Sequence, residues 1–313
     1  MRVVAAALLA LAVSGCAGAP QRPPGAPERL ELAAVPFFAQ DRYQCGPAAL
    51  ATLLGASGAS VEPAALVAEV YLPARRGSLQ LELLAAARRH DRLAYPLPPD
   101  PLALDAELAA GRPVLVLQNF GSTGSPAWHY AVVVGYGPGY RLLRSGLTER
   151  LRLNESRFEG SWSRAGRWAF VALRPGELPA SGAAQPYAEA ASAFEAVATA
   201  ESAAAAYAAA TGRWPSEPAG WLGLGNARER GGDLAGAEAA YRAALGAAPG
   251  YAAARNNLAE LLSRRGCLAA ARREIRRADG DAAGTPLATA VAATRAAIEA
   301  REAVAEPSGC PEP

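Results

Sequence analysis

The sequence predicts an α+β domain over residues 31–175, followed by an all-α helical repeat domain over residues 187–313. In the first region, Ala- and Leu-rich stretches precede runs of β-branched residues, a grouping of helices and then strands that is typical of α+β domains. In the second region, similar residues recur at intervals of 34 residues, the length of one helical hairpin in a stacked array. Residues 176–186, rich in Gly, Pro, Ala and Ser, predict a linker between them.

Residues 1–16 predict a signal peptide. Arg2 supplies a positive start, an apolar stretch follows, and Ser14-Gly15-Cys16 resembles the end of a bacterial lipobox. That resemblance implies that Cys16 is diacylated and becomes the first residue of the mature chain; ordinary secretion with cleavage nearby is the alternative. Ala17, rather than Asp, follows the cysteine, which by the sorting rule for such lipoproteins implies the periplasmic face of the outer membrane. Residues 17–30 predict a flexible tether.

The composition excludes several classes of function. All 31 cationic side chains are Arg, so lysine-dependent phosphate loops, Schiff bases and Ser/Lys hydrolases are excluded. The presence of only two histidines argues against a multi-histidine metal centre, and we expect no cofactor. A net charge of +2 without any basic tract argues against nucleic acid as a partner.

Helices and strands of the first domain follow from local patterns. Ser78 is expected to cap one of the helices through its hydroxyl. The predicted helices are 45–55, 62–70, 78–90, 101–110 and a short one near 155–162, and the predicted strands are 114–119, 129–136, 140–144 and 168–173.

Cys45 and His129 are the candidate catalytic pair. Cys45 lies where a Gly-Pro turn enters a helix, and the positive end of the helix dipole is expected to lower the pKa of its thiol. His129 heads a β-branched run that predicts a buried strand. A cysteine at a helix start facing a histidine on a strand is the arrangement of papain-like cysteine hydrolases. His90, at a charged helix end, is interpreted as structural.

A glutamine is expected to complete the site as an oxyanion donor. Gln40 lies five residues before Cys45, and its side-chain amide is preferred for this role beside the Cys45 backbone N–H. Gln44 is the alternative, but it adjoins the nucleophile, and adjacent side chains usually diverge.

Four segments resemble the bacteriocin-processing peptidase family, papain-like cysteine peptidases known for cutting leader peptides after a double glycine. The segments are 35–40 (VPFFAQ), 45–50 (CGPAAL), 77–78 (GS) and 129–136 (HYAVVVGY). The resemblance covers roughly residues 35–173. It implies a papain-like cysteine peptidase domain that forms a thioester, with Cys45, His129 and Gln40 in the roles given above, and relatives that are lipoproteins fused to tetratricopeptide repeats.

The chain departs from that family at the residue that orients the histidine. The family places Asp-Pro about 16 residues after the histidine, whereas this chain has Ser145-Gly146 there and no Asp between 105 and 233. Ser145 and Asn119 are therefore the two candidates for an orienting side chain, with Asn154 and Glu149 as more distant alternatives. Loss of an orienter can lower the rate by several orders of magnitude.

The repeats resemble tetratricopeptide repeats. The middle unit fits best, with Trp221, Gly225 and Tyr241 at pattern positions, while the first unit is alternatively an Ala-rich hairpin. A final helix over 286–304 is expected to cap the stack. In an exported protein Cys267 and Cys310 are expected to form a disulfide, two unrelated thiols being the alternative.

Together these features predict an envelope-anchored thiol peptidase that hydrolyses peptide or isopeptide bonds, with repeats that recruit a substrate or a protein partner. Two alternatives use the same fold. One is a non-catalytic, peptide-binding envelope scaffold, and the other is a Cys/His amidase or acyl transferase.

Overall fold

The computed structural model describes residues 23–122, 124–301, 307, 309 and 310. The predicted signal peptide and Cys16 lie outside the described residues, as do part of the predicted tether and residues 302–304 of the predicted last helix. The α+β region followed by an all-α region is confirmed. No helix in the described part of the chain has the length and apolar character needed to cross a membrane.

The first region forms an antiparallel sheet in the order β2-β7-β3-β4-β5-β6, with β1 paired to β4. Three strands, β1, β2 and β6, were not predicted, because they are short or carry charged, exposed side chains. The strands are β1 Leu30–Glu31, β2 Leu93–Pro96, β3 Val114–Asn119, β4 Trp128–Gly137, β5 Tyr140–Ser145, β6 Thr148–Asn154 and β7 Ala169–Leu173.

Five helices accompany the sheet, close to the predicted bounds. They are α1 Cys45–Ala56, α2 Pro63–Val70, α3 Gln80–Arg89, α4 Pro101–Ala109 and α5 Glu155–Ser163. The prediction that Ser78 caps a helix is wrong: α3 begins at Gln80 and its N-cap is Leu79, without a side-chain cap. The hydroxyl of Ser78 instead lies against Gly46 of α1.

Both faces of the sheet are buried. Residues of α1, α2 and α3 pack on one face, against alternate residues of the central strands such as Leu115 and Val132. Residues of α4, α5 and the first repeat helices pack on the other face, against the intervening residues such as Val116 and Val133. All six residues of β3 are therefore buried, which explains why its first four residues are continuously apolar. The packing fixes α1, and with it Cys45, on the sheet.

The second region consists of three helical hairpins and a last helix. The first helices of the hairpins begin at residues 184, 218 and 252 and the second at 200, 234 and 268, so every unit, including the first, keeps the 34-residue spacing. The helices are α6 Ala184–Glu195, α7 Ala200–Arg213, α8 Pro218–Arg230, α9 Leu234–Ala247, α10 Ala252–Arg264, α11 Leu268–Asp281 and α12 Ala288–Glu299.

The two regions share a hydrophobic core. Tyr187 of α6 is fully buried, with its ring centroid 6.3 Å from that of Tyr95 in β2. The backbone N–H of Ala180 donates to the buried Glu107 of α4 at 2.6 Å. The segment between the regions is thus held against the first domain, and α6 begins inside the predicted linker.

Cys267 and Cys310 are joined by a disulfide bond, with their Cα atoms 5.4 Å apart. Cys267 is buried at the start of α11, in the core of the last hairpin. The bond ties the C-terminal segment to the end of the helical stack.

Candidate active site

Cys45 is the first residue of α1 and the free cysteine of the described residues. Gly46 follows it because there is no room for a side chain: a Cβ there would overlap the hydroxymethyl group of Ser78. Pro47 suits the first turn of a helix, where no backbone N–H partner is needed. The thiol is thereby held at the mouth of a cleft.

Burial raises the pKa of the Cys45 thiol. Hydrogen bonds from the backbone N–H groups of Tyr130 and Gly46 act in the opposite direction but do not outweigh it. The expected lowering of this pKa is therefore wrong for the resting site, because removing the sulfur from water disfavours the thiolate more than the helix N-terminus favours it. At rest the Cys45 side chain is a neutral thiol.

His129 lies in β4 and lines the same cleft as Cys45. Burial lowers the pKa of its imidazole, so the ring is neutral at pH 7. The ring of Phe120 packs beside it, with a centroid separation of 6.1 Å. A neutral imidazole near a thiol is in the protonation state of a general base.

Ser145, the last residue of β5, contacts the histidine. Its Oγ lies 2.8 Å from Nε2 of His129. A neutral His129 can accept a proton at Nδ1 only if its own proton resides on Nε2, and Nε2–H then donates to Ser145 Oγ. In that tautomer the serine fixes the orientation of the ring, but without the negative charge that a carboxylate would provide.

Asn119, the other candidate for the side chain that orients His129, has a different role. Its Oδ1 accepts hydrogen bonds from the backbone N–H groups of Gly121 and Ala127, each at 2.9 Å, and so closes the loop between β3 and β4. Its proposed role as an orienter is not supported. Asn154 is committed elsewhere as well, since it caps α5 by accepting from the N–H of Ser156 at 3.0 Å.

Gln40 lines the cleft together with Cys45 and His129. Its backbone N–H donates to the carbonyl of Gly146 at 3.1 Å, which ties this segment to the turn after Ser145. Gln44 does not line that cleft and instead borders a depression beside α2. The placement favours Gln40 over Gln44 as the amide that faces the reacting carbonyl.

A second, small cavity adjoins the cleft, and Gln40, Cys45 and Ser145 are among its lining residues. The cleft itself, which is lined by Gln40, Cys45 and His129, has a volume of about 590 Å³. Trp128, 54% exposed, and Tyr43, 40% exposed, stand on its walls, and the segment 75–80 forms the opposite side. This volume lies within the range of ligand-binding clefts.

Sequence reasoning missed the cleft walls, namely Tyr43, Trp128 and Arg75–Arg76. Tyr43 and Arg76 adopt left-handed backbone conformations, with φ of 66° and 48°. No sequence pattern predicts these conformations in a Tyr or an Arg.

Tyr130 links the site to the segment before α3. Its hydroxyl donates to the backbone carbonyl of Ser78 at 3.2 Å, and burial raises its pKa. Tyr130 therefore remains a neutral donor that holds one wall of the cleft in place.

His90 lies outside the site. Its Nε2 is 2.8 Å from Glu69 Oε1, in a cluster with Arg89 that joins α3 to α2. Its interpretation as a structural residue agrees with this placement. Among the described residues, no group of three or more His, Cys, Asp or Glu side chains is arranged to hold a metal ion.

No protein-family model matches this chain, and no curated protein matches it. Several solved structures are similar to parts of it. The peptidase domain of Streptococcus ComA, a bifunctional ABC transporter, is 20% identical over 44% of this chain and 96% of its own length, with a TM-score of 0.37.

A double-glycine-motif protease from an AMS/PCAT transporter, solved with its leader peptide, is 21% identical over 45% of this chain and 91% of its own length, with a TM-score of 0.35. The type III secretion translocator chaperone SycD of Yersinia enterocolitica is 23% identical over 37% of this chain and 82% of its own length, with a TM-score of 0.35. Each likeness covers less than half of this chain.

Proposed function

We propose that the protein is a thiol peptidase that hydrolyses peptide or isopeptide bonds through a thioester on Cys45. The observation that supports this most directly is that Cys45, His129 and Gln40, from three separate segments, line one cleft. The hydrogen bond between His129 and Ser145 leaves Nδ1 as the ring nitrogen available for proton transfer.

The first half of the reaction forms the acyl-enzyme. The sulfur of Cys45 attacks the carbonyl carbon of the substrate while His129 takes the thiol proton. The negative charge that develops on the carbonyl oxygen is stabilised by the side-chain amide of Gln40 and the backbone N–H of Cys45. His129 then donates its proton to the leaving amine, the C–N bond breaks, and the acyl group remains as a thioester.

The second half regenerates the enzyme. His129 takes a proton from water, whose oxygen attacks the thioester carbonyl in the same oxyanion environment. The C–S bond breaks, the acid product leaves, and the proton returns to the sulfur. Because the thiol and the imidazole are both neutral at rest, His129 has to remove the thiol proton as the sulfur attacks.

The test is cleavage of a diverse peptide mixture, with new termini identified by mass spectrometry. The wild type is expected to generate them, while Cys45→Ala and His129→Ala, which keep the fold, are expected to generate none. New termini that persist in Cys45→Ala would come from a contaminant and would contradict the proposal.

A second candidate is a non-catalytic, peptide-binding scaffold. The observation that favours it is Ser145, which cannot stabilise a protonated His129 as a carboxylate would. This reading predicts that the wild type and Cys45→Ala bind the same peptides equally and that neither cleaves them. Amide or acyl transfer shares the thioester step; it is distinguished by adding an amine acceptor and finding the acyl–amine product.

Anchoring and partners are part of the proposal. Cys16 is proposed to carry a lipid that holds the protein at the cell envelope, on the periplasmic face of the outer membrane. Incorporation of labelled fatty acid that is lost in Cys16→Ser tests the anchor. The repeats α6–α11 are proposed to bring a protein partner or substrate to the cleft, and crosslinking in cells from exposed positions of the repeat helices in the full-length protein tests that role.

A further inference from the structure

One wall of the cleft is a short loop that presents two adjacent arginines. Residues Pro73–Arg75 form a single 3-10 turn, and the loop is closed where Leu72 N–H donates to the carbonyl of Gly77 at 2.8 Å. Arg75 and Arg76 stand at the tip, are both exposed, and both line the cleft that holds Cys45. The hydrogen bond between Leu72 and Gly77 thereby restrains the position of both arginines in the wall of the cleft.

The backbone around these arginines is strained. Arg76 has φ of 48° and Tyr43, on the adjoining wall, has φ of 66°. A left-handed conformation is unfavourable in a residue other than Gly, and such strain concentrates at functional sites. The two strained residues touch: the Arg76 guanidinium lies 5.8 Å from the centroid of the Tyr43 ring.

A third arginine joins the same surface. The guanidinium of Arg42 lies 4.9 Å from the centroid of the Tyr43 ring, so the ring is contacted by two guanidinium groups. Arg42, Tyr43 and Arg76 also line a shallow depression that adjoins the cleft. The basic surface therefore runs from the outside of the molecule into the cleft.

No carboxylate of the described residues pairs with these three guanidinium groups. Within the described residues, Arg42, Arg75 and Arg76 form no ion pair or side-chain hydrogen bond, in contrast to Arg141 and Arg150. No Asp or Glu lines the cleft. A cleft with two guanidinium groups on its wall, a third in the adjoining depression and no carboxylate among its lining residues attracts anionic groups.

We infer that the cleft selects peptide segments that carry acidic side chains close to the bond to be cut, with Arg75 and Arg76 as the residues that determine this specificity. Guanidinium groups bind carboxylates through paired N–H donors, and Arg is suited to this because its fork geometry matches the two oxygens. Cleavage of such peptides rests on the proposed function, whereas their binding does not.

Binding is measured with the full-length Cys45→Ala protein, so that turnover cannot interfere. The probes are two fluorescent pools of equal-length peptides, one rich in Asp and Glu and the other with Asn and Gln at the same positions. We expect the acidic pool to bind about tenfold more tightly at low salt, as charge-assisted contacts allow, and to lose most of this advantage at high salt.

The arginine variants test the assignment. Arg75→Gln/Arg76→Gln is expected to abolish the preference for the acidic pool. Arg29→Gln/Arg157→Gln removes two exposed charges that do not line the cleft, and is expected to retain it. As a second variant, Arg75→Glu/Arg76→Glu is expected to prefer a Lys-bearing pool. Thermal melting establishes that each variant is folded.

Three results would overturn the inference: failure of the acidic pool to bind, equal binding of the two pools, or the same loss of preference in both double Gln variants. The same pools are then incubated with the wild type. If the acidic preference in binding holds and no peptide is cut, the proposed peptidase function fails while the specificity of the cleft stands.

Discussion

Ser145 Oγ lies 2.8 Å from His129 Nε2. Ser145 reaches this position from the end of β5, where the pairing with β6 shifts register between Leu143 and Ser145. The hydroxyl can accept the Nε2 proton and so fix the tautomer, but it adds no charge to stabilise an imidazolium. Burial also disfavours the charged imidazolium, because it lowers the pKa of His129. Ser145 and burial together hold the imidazole in one orientation and keep it neutral.

Replacing this hydroxyl by a carboxylate should strengthen the base. In Ser145→Asp a negative charge beside Nε2 favours the protonated ring, so the pKa of His129 rises and the acid limb of kcat/KM moves to higher pH. We expect kcat/KM at pH 8 to increase by about tenfold, since orienting carboxylates contribute up to about four orders of magnitude elsewhere.

Ser145→Ala is the matched control for that substitution, because it removes the hydrogen bond and adds no charge. Its kcat/KM should fall below that of the wild type without an upward shift of the acid limb. If Ser145→Asp and Ser145→Ala show the same profile, Ser145 does not act through the imidazole.

Gln40 and Gln44 are expected to differ sharply in their effect on catalysis. Gln40→Ala removes the side-chain donor at the cleft and should lower kcat by about 10²–10³-fold with little change in KM. Gln44→Ala alters a side chain that does not line the cleft and should leave kcat within about twofold. Steady-state kinetics on a cleaved peptide measures both; equal effects would show that the amide donor is misassigned.

Two glycines in the repeats should respond in opposite ways to Ala. A Cβ at Gly225 of α8 would overlap the Tyr241 ring, so Gly225→Ala should lower the free energy of unfolding by about 1–3 kcal/mol. Gly246 of α9 has no atom within 4 Å of its added Cβ, so Gly246→Ala should raise it by up to about 1 kcal/mol. Denaturant unfolding measures both, and destabilisation by both would contradict the packing described for α8 and α9.

Reduction of the Cys267–Cys310 bond should destabilise the end of the helical stack. The bond closes a loop between residues 43 apart, for which chain entropy gives about 4 kcal/mol as an upper figure. Unfolding is compared with and without reductant in Cys45→Ser, so that the free thiol does not contribute. A midpoint that does not change on reduction would show that the loop adds no stability.

The positions of the main helices and strands could be predicted from the sequence because the residue patterns that specify them are local. The β-branched run after His129 becomes β4, and the 34-residue spacing reappears in the starts of the repeat helices. Ser145 could be identified because it holds the position at which the resembling family places its Asp, and β4 and β5 bring this position to His129.

Other features depend on tertiary structure and were missed or wrong. The helix start at Cys45 indicates a lowered pKa, but the depth of burial, which raises it, is set by packing against the sheet. Ser78 has the residue type of a cap, yet close contact with Gly46 places it elsewhere. The segment after Pro175 has the composition of a linker. The repeats nevertheless pack against β2, because Tyr187 is buried beside Tyr95 of that strand.

The central claim is that His129 acts as a base on Cys45, and the most direct test is the rate of Cys45 alkylation by iodoacetamide across pH 4–11. In the wild type we predict a base-assisted component that appears as His129 loses its proton, below pH 6.5 because burial lowers the imidazole pKa. A second rise is expected above pH 9, because burial raises the thiol pKa.

His129→Ala should lose the first component and keep the second, with modification of Cys45 read by peptide mass spectrometry. This result would establish that the histidine removes the thiol proton. Superimposable pH profiles for the wild type and His129→Ala would show that the thiol reacts independently of His129, and would contradict the claim.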